Sequence, residues 1–123
     1  PSDALVGPVA VAALRSLHLD SVFMGVHGMS VRAGFTSPNL MEAETNRAFV
    51  EATEHLVVLA DHTKWGVTGL SSMAPLDRAA VLVTDGGLPA SAHQILEEHI
   101  ARVVIADTSF SDDIESAHER RRA

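Results

Sequence analysis

The polar run Asp61-His62-Thr63-Lys64 follows the apolar stretch Leu56-Val57-Val58-Leu59-Ala60 and precedes Trp65-Gly66. A lysine ammonium is a compact positive charge suited to a phosphate. A single loop lysine is more often a solvated charge, so its neighbours decide what it means. His27 offers an imidazole, and Glu42 a carboxylate, for sugar hydroxyls. Gly28 and Gly34 would let backbone amides come close to an anion. No Walker motif and no GxGxxG fingerprint occurs, so a nucleotide is not indicated.

Seven histidines invite a metal reading. His18, His55, His93, His99 and His118 are scattered, without ligand spacing. Only His27 and His62, with Asp61, are placed to share a rim. Structural or hydrogen-bonding roles outweigh a metal, because no ligand motif matches. His99, on an apolar stripe, reads as a core or edge histidine. Hydrolytic chemistry has little support: there is no GxSxG elbow, and Ser71-Ser72 lacks a local base. Asp85-Gly86-Gly87 is either a phosphate cradle or, more commonly, a tight turn before a helix. Trp65, the single tryptophan, reads as an anchor for the Lys64 loop rather than a stacking platform.

The elements that must position these residues alternate in type. Pro8 opens a helix through Leu17. Val22-Phe23-Met24-Gly25-Val26 is a buried strand, and a loop runs from His27 through Gly34 to Ser37-Pro38. Asn39 caps a second helix, with Glu42 three residues on as in a capping box. Met41, Thr45, Ala48, Phe49 and Ala52 form its core stripe. Glu44, Arg47 and Glu51 lie opposite, spaced for solvent-side ion pairs. Glu42 and Asn46 border the stripe and are placed to look into a cleft. Leu56–Ala60 is an unbroken apolar strand, as in a sheet covered on both faces. A loop from Lys64 to Met73 follows, with a helical turn near Ala74–Asp77. Ala80–Thr84 is a third strand. Pro89 opens a helix whose stripe is Leu88, Ala92, Ile95, Leu96 and His99. Val103–Ala106 is the fourth strand, and Asp107–Ala123 is a polar tail.

Strands joined by helical crossovers imply an α/β fold: a three-layer, Rossmann-like, mostly parallel sheet with helices on both faces. Ligands bind such sheets beyond the carboxyl ends of the strands. The loops after Val26, Ala60 and Thr84 would gather there. The leading helix has no strand before it, so either the domain starts with a helix or its first strand lies upstream.

The chain has 123 residues, 46% of them hydrophobic, enough for one compact domain. No apolar run is long enough to span a membrane. No signal peptide is visible, and a first residue other than Met suggests a piece of a longer protein. The absence of cysteine excludes disulfides, thiolate zinc sites and a cysteine nucleophile. A reducing, cytoplasmic setting fits. A net charge of −7 makes this chain by itself a poor partner for nucleic acid. Arg120-Arg121-Arg122, the sole basic cluster, reads as a frayed terminus.

Several segments together resemble a known family. Phe23-Met24-Gly25-Val26-His27-Gly28-Met29, Gly34-Phe35-Thr36, Glu42-Ala43-Glu44-Thr45-Asn46-Arg47-Ala48 and Leu59-Ala60-Asp61-His62-Thr63-Lys64-Trp65-Gly66 are similar, in order and spacing, to the C-terminal sensor domain of DeoR-type transcription repressors. Leu5-Val6-Gly7-Pro8 and Thr84-Asp85 fit as well. The likeness covers about residues 4–106. It implies a fold shared with ribose phosphate isomerases and glucosamine phosphate deaminases, a phosphorylated sugar or related metabolite as effector, and no cofactor. It also implies an N-terminal winged helix-turn-helix, outside this chain, that binds operator DNA, and assembly as a homo-oligomer. Lys64 matches a lysine that contacts phosphate in the enzyme relatives. His27 falls where the isomerases carry a catalytic aspartate, and Glu42 and Glu44 fall near their catalytic glutamate. Asn46 stands where the repressors commonly have lysine. The domain's first strand and glycine-rich phosphate loop have no counterpart in these residues.

The ligand site is therefore expected at Gly25, His27, Gly28, Glu42, Asn46, Asp61 and Lys64, with no metal and no catalytic residue. A sensor domain is the first reading. A sugar phosphate isomerase or deaminase, with His27 or Glu42 as general base, is the second. An oligomerisation module with a vestigial pocket is the third.

Overall fold

The computed structural model describes residues 7–106. In chain order the elements are α1 (Pro8–Leu14), β1 (Val22–Gly25), β2 (Gly28–Ser30), β3 (Gly34–Ser37), α2 (Leu40–Glu51), β4 (Leu56–Leu59), β5 (Ser71–Ala74), β6 (Val81–Asp85), α3 (Ala90–His99) and β7 (Arg102–Ala106). Single 3-10 turns occupy His62–Lys64 and Leu76–Arg78. The readings of residues 4–6 and of the 107–123 tail fall outside the described residues.

The apolar runs form one four-stranded sheet in the order β1-β4-β6-β7. Every pairing in it is parallel, with Val22 opposite Leu56, Val58 opposite Leu82 and Val83 opposite Val104. The α/β class and the parallel sheet are thus as read. The strands step in one direction across the sheet. Right-handed crossovers taken in one direction land on one face. Accordingly Val22, Met24, Leu56, Val58 and Leu82 share a core with Ala43 and Val50 of α2 and with Leu96 of α3. On the opposite face Phe23 is 69% exposed and Leu59 45%. A helical layer over that face needs strands stepping the other way from β1, and none is among the described residues.

A second sheet, β2-β3-β5, is antiparallel. It corrects the reading of residues 27–37 and 64–73 as loops. Its strands are three or four residues long and rich in Gly, Ser and Thr. They carry no hydrophobic period, so only their long-range pairing defines them. Gly34 makes the turn possible: its φ is +69°, and a Cβ there would lie 2.2 Å from the Ala74 carbonyl oxygen. Met29 and Phe35, opposite each other, are fully buried and join the two sheets into one core.

Asn39 caps α2 as expected, its Oδ1 accepting from the N–H groups of Met41 at 2.9 Å and Glu42 at 3.0 Å. The stripe on α2 differs from the expectation. Met41 is half exposed, while Ala43, Thr45, Ala48 and Val50 are buried. The helix is covered on two sides: Ala43 and Val50 face the sheets, while Ala48 meets Val11 and Leu14 of α1. A one-stripe reading cannot describe a helix between two layers. Arg47 makes no ion pair among the described residues. It donates to Ser71 Oγ at 3.1 Å and the Ser72 carbonyl at 2.7 Å, tying α2 to β5. On α3, Ala92 and Leu96 are buried, but His99 is exposed and Ile100 fills the core instead. The first helix stops at Leu14, short of Leu17.

Candidate functional site

The expected rim begins where β1, β4 and β6 end side by side. After β4 the ladder continues for one bond, Ala60 N–H donating to the Val83 carbonyl at 3.0 Å. Asp61 then caps the His62–Lys64 turn. Its Oδ1 accepts from Thr63 N–H at 2.8 Å and from the Thr63 hydroxyl. These two bonds, the hydroxyl's first, hold the Asp61 carboxyl below the usual carboxylate range, against a small opposing effect of burial, with Lys64 adding a weaker pull.

Asp85, the last residue of β6, reaches across to the same turn. Its Oδ1 lies 2.8 Å from His62 Nδ1 and accepts from Gly87 N–H at 2.8 Å. Its Oδ2 accepts from His62 N–H at 3.2 Å. The Gly87 N–H, followed by the two His62 donors, keeps this carboxyl low as well. Glycine at 87 leaves room for this ring position: a Cβ would sit 2.5 Å from His62 Nδ1 and would displace the imidazole. Asp85-Gly86-Gly87 is thus a tight turn that seats an imidazole, the commoner of the two meanings it could carry.

The far end of the Lys64 turn is tied to β2. Trp65 and Met29 form a parallel bridge, and Gly66 N–H donates to the Met29 carbonyl at 2.9 Å. That register puts Lys64 beside Gly28. Trp65 packs partly buried against the core, as its anchoring role requires. Gly28 is buried, and a Cβ there would lie 2.0 Å from the Val67 carbonyl oxygen. Its missing side chain therefore admits the loop's own backbone. His27 is exposed, held by its N–H donating to the Thr36 carbonyl at 3.1 Å.

The expected residues thus fall into two neighbouring groups. His27, Gly28, Asp61 and half-buried Lys64 lie on the rim. Gly25 and Asn46 line an open cleft of about 380 Å3, together with Ser21, Phe23 and Phe49. A Cβ on Gly25 would meet nothing within 4 Å, so the cleft is open at that point. Asn46 Nδ2 points to Met73 Sδ at 3.1 Å, a weak acceptor. Glu42 is exposed at the first turn of α2 and is not among the cleft residues, contrary to the helix-face reading.

The sequence reading missed the grip of Asp85 on His62, and the part of Phe49 and Ser21 in the cleft. An aspartate ending one apolar run and a histidine just past the end of the neighbouring one was the available signal. Asp61, His62 and Asp85 also bring one donor atom each within 4.8 Å of one another. Those atoms already serve the hydrogen bonds of the turn.

A parallel sheet with a lysine loop at its carboxyl rim, and an open cleft running along the edge strand β1 from Leu19 to Gly25, suits a ligand-binding α/β domain. The chain belongs to the DeoR C-terminal sensor domain family, whose sequence profile matches residues 1–86. It is 33% identical over 104 residues to the HTH-type transcriptional regulator GlpR of Haloferax volcanii, covering 85% of this chain and 40% of that protein. It is 31% identical over 96 residues to the HTH-type transcriptional regulator IolR of Bacillus subtilis, covering 78% and 38%. It is 24% identical over 95 residues to the glycerol-3-phosphate regulon repressor of Escherichia coli, covering 77% and 38%. The chain spans about two fifths of the length of these relatives. The family is a regulatory sensor domain rather than an enzyme, so the isomerase alternative falls. No described helix is long and apolar enough to cross a membrane.

Proposed function

We propose that the chain is the effector-binding part of a cytoplasmic DeoR-type repressor, sensing a phosphorylated sugar or a related polyol phosphate. The phosphate meets Lys64 on the rim, beside Gly28 and His27. The hydroxylated remainder extends over Gly25 toward Asn46 in the cleft, while Asp61 braces the lysine turn on the rim. The observation that carries this reading is the Met29–Trp65 bridge, which brings the lysine turn alongside β2, the strand that follows β1 after His27. The name of the glycerol-3-phosphate regulon repressor supports a phosphate ester as the class of effector.

Operator binding belongs to an N-terminal winged helix-turn-helix outside these residues. The net charge of −7 agrees with a DNA contact made elsewhere. The repressor works as a homo-oligomer whose effector favours one of two arrangements of the DNA-binding heads.

Calorimetric titration of the longer regulator with a panel of phosphate esters tests this reading. Lys64→Ala removes a charge-assisted contact of roughly 1.5–3 kcal/mol, about a ten- to hundredfold loss of affinity. An affinity unchanged by Lys64→Ala assigns the site wrongly.

A further inference from the structure

We propose that Asp85 is a positioning residue of the effector site: from the end of β6 it grips His62 by main chain and ring together, and so sets the turn on which Lys64 stands. The proposal rests on reading Lys64 as the phosphate contact.

The turn is short, braced from within by the Asp61 carboxylate on Thr63 and led into by the Ala60–Val83 bond. It is one 3-10 turn with two backbone bonds, Lys64 N–H to the Asp61 carbonyl at 3.1 Å and Trp65 N–H to the His62 carbonyl at 3.2 Å. An isolated turn of this length is not stable in water. External ties fix its two ends. Trp65 and Gly66 are bound to Met29 at the far end. At the near end the main chain and the ring of His62 are both held by one carboxylate. Lys64 lies between these ties. The ring is clamped as well, with Asp85 Oδ1 on Nδ1 and the Gly87 α-carbon against the ring. Asp85 comes from the strand next to β4 in the sheet, so the rigid sheet, rather than the loop, defines where the lysine sits.

A consequence follows for the imidazole. Asp85 only accepts hydrogen bonds, so Nδ1 must carry the proton and Nε2 is left as the bare nitrogen when the ring is neutral. This tautomer reports the grip without any ligand.

The experiment uses the 123-residue chain unchanged and as Asp85→Ala, Asp85→Asn, Lys64→Ala, the Lys64→Ala/Asp85→Ala double variant and His62→Ala. Long-range proton–nitrogen spectra at pH 8 read the His62 tautomer. Acrylamide quenching of Trp65, the single tryptophan, reads the order of the turn. Chemical-shift titration with inorganic phosphate reads the anion site. The unchanged chain shows the Nδ1–H tautomer. Asp85→Ala shifts it toward Nε2–H, raises quenching and weakens phosphate binding several-fold. Asp85→Asn, whose amide oxygen still accepts from the main chain, recovers the quenching in part. Adding Asp85→Ala to Lys64→Ala costs no further phosphate affinity, because the effect runs through the lysine. Loss of stability without repositioning would not produce that non-additivity.

An unchanged tautomer and unchanged quenching in Asp85→Ala overturn the proposal. Phosphate binding that depends on Lys64 but not on Asp85 overturns it and leaves the effector site standing. Phosphate binding that ignores Lys64→Ala overturns the effector site itself, and the role of Asp85 with it. His62→Ala breaks the same grip from the other side, and its quenching and phosphate readings decide the matter should Asp85→Ala not fold.

Discussion

The carbonyl of Val67 occupies the space where residue 28 would carry a side chain. A Cβ on Gly28 would stand 2.0 Å from that oxygen, 2.6 Å from the carbonyl carbon and 2.9 Å from the Thr36 hydroxyl. Backbone atoms cannot swing aside as the end of a side chain can. The Gly28→Ala exchange therefore pushes the Lys64–Gly69 loop away from β2 and β3. We expect a loss of about 1–3 kcal/mol, as for other overpacked sites, read as a lower urea midpoint. The Trp65 emission shifts with it, since Trp65 is bridged to Met29, the next residue. Emission and midpoint both unchanged would show that the loop tolerates the extra carbon in place.

Arg78 closes the other end of the molecule. Its guanidinium donates to the Val50 carbonyl at 2.7 Å and to the Thr53 carbonyl. The Val50 carbonyl otherwise has a long 3.4 Å bond from Thr53 N–H, and the Thr53 carbonyl lies just past the C-cap Ala52; a cation there also suits the helix dipole. Arg78→Ala removes both guanidinium bonds and should cost roughly 1.5–3 kcal/mol, the range for hydrogen bonds to a charged group. Arg78→Lys, with one compact ammonium instead of a fork, recovers only part of it. Equal denaturation midpoints for Arg78→Ala and the unchanged chain would refute the capping role.

The four parallel strands were legible in the sequence because each is an unbroken apolar run, and burial on one side or both demands that composition. Asn39 was legible as a cap because its signal is local, with Glu42 three residues on. What escaped was non-local. Residues 28–30, 34–37 and 71–74 become strands only by pairing with one another across the sequence. Arg47 sits where a helical ion pair is expected, and a neighbouring strand supplies better acceptors in Ser71 and Ser72. The same holds for the site. Lys64 and His27 stand at strand ends and could be named from pattern alone. The grip of Asp85 on His62 depends on β4 and β6 being neighbours in register, which no local pattern encodes.

The Asn39 cap gives a local prediction that isolates α2. Its Oδ1 accepts from two of the otherwise unpartnered N–H groups of the first turn. Asn39→Ala should cost about 1 kcal/mol, and Asn39→Asp or Asn39→Ser should cost much less, because both side chains still accept. Thermal unfolding of the three variants gives the ranking. Alanine matching serine would mean that water caps this end equally well.

The two rim carboxylates give the chain a defined acid limb. Asp61 is held low by the Thr63 hydroxyl and N–H, Asp85 by the N–H of Gly87 and then by His62. A carboxyl whose value is depressed on folding contributes stability that is fully present above its unfolded value, about 3.9 for aspartate. That contribution disappears as the pH falls through the lower, folded value. Their share of stability is therefore flat from neutral pH down to about 5 and is lost below about 4. Asp61 is open to solvent and Asp85 partly so, so salt screens the weaker charge contributions and leaves the hydrogen bonds in place. Asp61→Asn and Asp85→Asn should each flatten the fall in unfolding temperature below about pH 4, under the unfolded aspartate value, and the double variant should flatten it most. Thermal scans across that range decide it: an acid limb as steep in the double variant as in the unchanged chain would place the responsible carboxylates elsewhere.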